Sequence, residues 1–143
     1  MTYLPLIGAL LLSASPAIAD ELTYLTCKGD LTSKVTNTNT SEVIQKNKGS
    51  HIKTYIVDRD RRRVMAKGGQ WMNADIIDGI LTGSGTFGQG FSTSEETIQI
   101  DIDTVGDYSY EQNIRQRNIS MEIEAVGTCT EVDAAVIEKT LNQ

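Results

Sequence analysis

From Thr97 to Gln112 apolar and polar side chains alternate with a period of two. Ile98, Ile100 and Ile102 fall on one side, and Gln99, Asp101 and Asp103 on the other. Successive side chains of a strand point to opposite faces, so this stretch predicts a half-buried β-strand. Thr104-Val-Gly-Asp107 supplies turn chemistry, and Tyr108, Tyr110, Gln112 and Ile114 then alternate with Ser109, Glu111, Asn113 and Arg115 as the return arm of a hairpin. Asn118 to Val126 repeats the pattern, with Ile119, Met121, Ile123 and Ala125 inward and Asn118, Ser120, Glu122 and Glu124 outward.

The same alternation, less regular, runs through the earlier chain. Leu22 to Lys28 predicts a first strand ending at Gly29-Asp30, and His51 to Asp58 a second one. Arg59-Asp60-Arg61 forms a charged tip, Arg62 to Lys67 returns, and Trp71 to Ile77 resumes with aromatic and β-branched residues. Between the first two strands, residues 32 to 50 are dominated by Thr, Ser, Asn and Lys, which predicts a weak strand near 32 to 36 and then a long exposed loop. Gly79 to Gly90 carries five glycines, a composition expected to give bulges and sharp bends. Near the end, Thr130-Glu-Val-Asp133 has capping-box spacing ahead of Ala134 to Leu141, predicting one helix of about ten residues.

Six to eight short strands with one late helix, and no crossover helix between 20 and 130, predict an all-β, mainly antiparallel meander. It would be closed as a small barrel or sandwich.

The start of the chain changes the compartment. Leu4 to Leu12 is a short apolar run leading to Ala17-Ile-Ala19, the small-residue pattern of signal peptidase cleavage. Residues 1–19 are therefore read as a signal peptide and 20–143 as one β domain, secreted or periplasmic. Tyr24-Leu-Thr26 precedes Cys27, unlike the small residues before a lipoprotein cysteine, so no membrane anchor is expected. Removing nineteen residues from 143 leaves 124, enough for one core. None of the nineteen is charged, so the net charge of −6 belongs wholly to this domain. Such a domain repels nucleic acid and anionic membrane, and favours basic proteins and cations. A monomer is expected.

Export places the two cysteines, Cys27 and Cys129, where disulfides persist, and two cysteines allow one intramolecular bridge. Closing a loop of about 100 residues stabilises by roughly 4 to 5 kcal/mol at most in the chain-entropy account. A redox or metal pair would need CxxC spacing or a nearby histidine, and neither is present.

Other motifs lack their context. Gly83-Ser-Gly85-Thr-Phe87-Gly88 matches GxGxxG, but no helix opens at the third glycine and no catalytic lobe follows. Asp101-x-Asp103-x-x-Gly106 resembles half a calcium loop, yet Val105 and Gln112 stand where oxygen ligands belong. Arg61-Arg-Arg63 reads as a solvated hairpin end. Asn39-Thr-Ser41 and Asn118-Ile-Ser120 fit the glycosylation sequon. His51 is the single imidazole, so no nucleophilic triad can be assembled; no catalytic residue, metal or cofactor is assigned, and the protein reads as a non-enzyme, the alternative being a minor hydrolase that depends on His51 or Asp103.

Two surfaces remain. Trp71, Phe87, Phe91, Tyr108 and Tyr110 are expected to line a barrel mouth that takes a small apolar ligand. Asp101, Asp103, Glu111, Glu122 and Glu124, interrupted by Arg115 and Arg117, are expected to form an acidic strand face for a basic protein.

With Cys27-x-Gly29, the Tyr55-x-Val57-Asp58 strand, Ile102-Asp103-x-x-Gly106-x-Tyr108 and the closing Gly127-x-Cys129, the chain resembles an uncharacterised group of small exported proteobacterial single-disulfide proteins. That resemblance spans most of residues 24 to 129 and implies a lipocalin-like or sandwich-like β fold, with no catalytic residue. Periplasmic inhibitors of animal-type lysozyme share the exported, two-cysteine, eight-strand outline and bind a basic enzyme. Their Ser-Gly-x-x-Tyr type segment is absent from this chain.

Overall fold

The computed structural model describes residues 22–104 and 106–135. Eight strands run in order: β1 (Leu22–Asn37), β2 (Glu42–Asp58), β3 (Arg63–Ala66), β4 (Trp71–Ile77), β5 (Ile80–Gln89), β6 (Ser92–Asp101), β7 (Asp107–Gln116) and β8 (Ile119–Glu131). Each pairs antiparallel with its sequence neighbours, and β8 pairs with β1, closing the sheet as a barrel rather than a sandwich. The expected signal peptide lies outside the described residues.

Period-two alternation decides the inside. Leu25, Tyr55, Val57, Val64, Leu81, Ile98, Ile100 and Ala125 pack together at one end of the barrel, almost fully removed from water. Each large side chain so buried stabilises the fold by about 1.5–3 kcal/mol. Ile52 and Ile56 stand on the opposite parity of β2, and Ile52 is exposed.

The bridge predicted from composition is present. Cys27 and Cys129 are directly opposed across β1 and β8, with Cα atoms 3.9 Å apart. Two residues on, Gly29 faces Gly127, and a Cβ on either would strike the backbone of the other strand. The barrel is thus sealed at a pinch that only glycine permits, with a covalent bond beside it.

Three expectations are corrected. Residues 32 to 50 are not a loop: β1 and β2 form one long ribbon around residues 38–41, where Asn37 Oδ1 accepts the N–H groups of Asn39 and Thr40. The ribbon projects past the core with most of its β2 arm exposed on both faces, so no apolar period marks it. The glycines of β5 do not make bulges. Gly79 serves the Asp78-Gly79 turn, where both residues take positive φ as a tight hairpin requires, and β5 then pairs with β6 without a register shift. The irregularity lies between Val35 and Thr36, opposite Ile44. Finally, Thr130 is still in β8, and Asp133 makes the cap, its Oδ1 accepting the Ala135 N–H at 3.0 Å. Ala134 and Ala135 are helical, and the remainder of the predicted helix lies outside the described residues.

Unequal strand lengths give the barrel a low wall. β3 pairs with β2 only over Tyr55–Asp58, and β4 pairs with β5 only over Ile80–Gly83. Beyond these points β1, β2 and β5 to β8 continue as a half-pipe, open between β2 and β5. The other end is finished by Asp58, 1 % exposed, which accepts the Arg61 N–H at 3.1 Å and Arg63 Nε at 3.0 Å. Burial raises the Asp58 pKa, but these hydrogen bonds and the guanidinium charge outweigh it and hold the carboxyl below its usual value. The predicted hairpin tip is used to close this end, since Arg59 also binds Asp103 and the Ile102 carbonyl.

Candidate functional site: the polar interior beneath the low wall

Above the apolar end the inward positions turn polar. His51 and Lys53 share the parity of Tyr55 and Val57 on β2, while Ser94 and Glu96 share that of Ile98 and Ile100 on β6. Gln112 shares that of Tyr108 and Tyr110 on β7. Strand geometry therefore aims all of them into the barrel.

They are tied into two hydrogen-bonded runs. In the first, the Tyr55 hydroxyl is 2.6 Å from that of Tyr108, which is 3.0 Å from His51 Nε2. In the second, Tyr110 faces both Glu96 Oε1 at 3.1 Å and Gln112 Oε1 at 2.9 Å, and Gln112 Nε2 donates to Ser94 Oγ at 2.9 Å. The Tyr110 hydroxyl has one hydrogen for two acceptors, so Glu96 receives only a share of it. Aromatic contacts join the runs: the His51 ring stacks on Tyr108 and Tyr110 at centroid separations of 5.9 and 5.4 Å. Lys53 Nζ lies 4.6 Å from the Tyr110 ring centroid, as a cation over an aromatic face.

Burial sets the protonation states. It pushes the Tyr55 phenol far above its ordinary range, aided by Tyr108, and lifts Tyr108 to about 12 against the hydrogen bond from Tyr55. Tyr110 also rises, first through burial and then through the Glu96 charge. His51 is lowered by burial and by the Lys53 charge, so its neutral form is favoured. The array is thus one of neutral rings flanked by Lys53 and Glu96.

Space adjoins it. A concavity of about 490 Å³ is bounded by Lys53, Gln70, Met72, Phe87 and Glu96, with Lys67 exposed at its rim. A second, of about 790 Å³, shares Gln70 and Phe87 and reaches Ser92 and Ser94. The lost wall between β2 and β5 is the entrance to both. Phe87 curls over Gly85, whose missing side chain leaves room for the ring and for Met72.

Of the aromatic residues expected at the mouth, Phe87, Tyr108 and Tyr110 share this interior. Trp71 stands outside, its ring 4.1 Å from the Arg63 guanidinium carbon. Phe91 occupies the two-residue turn after β5, 80 % exposed, with Arg117 over its ring. Lys53, Glu96 and Ser94 were passed over in the sequence, although their parity with Tyr55 and Ile98 was the available signal.

The acidic face divides. Glu111 is directly opposite Glu124 on the outside of β7 and β8, and Glu122 next to them is paired with Lys34 Nζ at 2.8 Å. Lys46 and Lys48 line the same outer cleft. Asp101 and Asp103 sit apart at the β6–β7 turn, where Asp101 Oδ1 accepts the Thr104 N–H and Asp103 binds Arg59 at 3.3 Å. Among the described residues no group of three His, Cys, Asp or Glu side chains is placed to hold a metal ion.

Comparison with protein families, with characterised proteins and with solved structures returned no match for this chain.

Proposed function

We propose that this is an exported, non-enzymatic binding protein that takes a small molecule with an apolar body and a polar end into the open mouth of its barrel. The observation that supports this most is the change in the interior from apolar to polar along its axis. A barrel that only had to fold would fill the layer above Ile98 and Tyr55 with aliphatic side chains. Here that layer holds His51, Lys53, Glu96, Tyr110 and Gln112 beside a concavity of about 490 Å³ walled by Met72 and Phe87. Convergent polar groups within a partly apolar pocket of several hundred Å³ are the usual make-up of a small-molecule site. The disulfide accords with an oxidising compartment, and with it the secreted or periplasmic reading of residues 1–19. The acidic outer face supports a basic protein partner less well, because Lys34 and Arg59 already neutralise two of its five carboxylates.

Anilinonaphthalene sulfonate, whose emission rises in apolar surroundings, tests the mouth. Saturable emission is expected with the oxidised protein. Phe87→Asp should abolish it, with some fall in Tm because the ring packs against the core, while the protein stays folded at the temperature of the assay, and Phe91→Asp, the same exchange on an exposed turn, should leave it. Equal emission from both variants, or none from the unaltered protein, overturns the reading.

A further inference from the structure

Resting on the mouth as a binding site, we propose that its ligand is a zwitterion of the α-amino acid class, carboxylate toward Lys53, ammonium toward Glu96, and side chain against Phe87 and Met72. Lys53 and Glu96 are opposite charges bordering one concavity, yet they do not pair with each other, and neither has another ion-pair partner among the described residues. Both are held on the same tyrosine. Lys53 lies over the Tyr110 ring face, and Glu96 is held at its hydroxyl. The two charges therefore flank one ring without meeting as an ion pair, a placement that one small dipolar ion can bridge.

The hydrogen bonding points the same way. Lys53 carries three N–H donors, and its one specific contact among the described residues is with a π face, which takes up none of them at full strength. Glu96 accepts from a hydroxyl whose single hydrogen is also directed at Gln112. One inward cation is short of acceptors and one inward carboxylate is short of donors. Lys67 adds a second cation at the exposed rim of the same concavity, so an anion alone would satisfy Lys53 but be repelled by Glu96, and a cation alone would satisfy Glu96 against both lysines. An ammonium and a carboxylate borne on one carbon answer both. The neutral His51 and Gln112 add uncharged hydrogen-bonding groups without shifting that balance.

Four probes with one indole group separate the charges: tryptophan, tryptamine, indolepropionate and indolepropanol, measured by calorimetry on the oxidised protein. Tryptophan is expected to bind on the order of tenfold more tightly than either singly charged probe, as a charge-assisted hydrogen bond to a half-buried partner allows. Lys53→Met should remove its advantage over tryptamine, and Glu96→Gln its advantage over indolepropionate. Neither substitution should weaken indolepropanol. Equal binding of all four, or a singly charged probe binding best, overturns the zwitterion while leaving the mouth as a site. No binding of any probe by protein that still takes up the naphthalene dye has the same meaning. Loss of dye and probes alike refutes both readings.

Discussion

Tyr55 keeps its hydroxyl out of water altogether, and among the described residues Tyr108 is the one side chain hydrogen-bonded to it. The reverse does not hold, because Tyr108 also has His51. The two phenols are therefore unequal. Tyr55→Phe removes one bond and leaves Tyr108 partnered, which should cost about 1 kcal/mol. Tyr108→Phe strands the Tyr55 hydroxyl in the core and takes the Nε2 partner from His51, and should cost about 2–3 kcal/mol. Urea unfolding of the two variants gives the order, and a larger loss from Tyr55→Phe would contradict it. His51 brings pH into the same run. Its folded pKa is depressed below 6.5 by burial and by Lys53. Between those two values the unfolded chain binds more protons than the folded one, so stability rises with pH. The His51 contribution is complete above 6.5 and is lost as pH falls from there through the folded value. Subtracting the Tm profile of His51→Gln from that of the unaltered protein should leave a curve that falls on the acid side of 6.5, and an NMR titration of the single imidazole should place its midpoint lower than in an unfolded peptide.

At the scale of elements, the β1–β8 seam depends on two facing glycines. Gly127→Ala would place a methyl against the Lys28 carbonyl and the Gly29 backbone, where no flexible side chain can give way. It should destabilise by at least about 2 kcal/mol, as over-packing does when the neighbour is backbone. Gly49→Ala, with open space around it, is the control and should be near neutral. Elements that press one face on the core wrote themselves plainly in the sequence. The isoleucines of β6, the tyrosines of β7 and the Met121-Ile123-Ala125 face of β8 are each legible in the amino-acid pattern, because burial on one side enforces alternation. The β2 arm of the first ribbon stands beyond the core, with Lys46, Asn47 and Lys48 exposed, so nothing selected an apolar period there and it resembled a loop. The same cause limited the site. Tyr108 and Tyr110 are hydrophobic enough to be read as lining, whereas Lys53 and Glu96 look like surface residues until parity places them inside. Trp71 fell on the wrong side for the converse reason: its size suggested burial, but its parity opposes that of Met72 and Ala74, both buried.

For the whole molecule, the bond between Cys27 and Cys129 spans 102 residues of sequence and joins the first strand to the last. Between those positions the oxidised polypeptide is a covalent ring laid over a cylindrical wall. A single cut in the turn at 38–41 opens the ring without releasing a fragment, because both new pieces remain attached through sulfur. After limited digestion there, the protein should migrate as one species without reductant and as two with it, and it should keep dye binding until the bridge is broken. A macrocycle of this kind tolerates a backbone break at its rim, because the cut leaves both ends of the barrel wall joined across the seam.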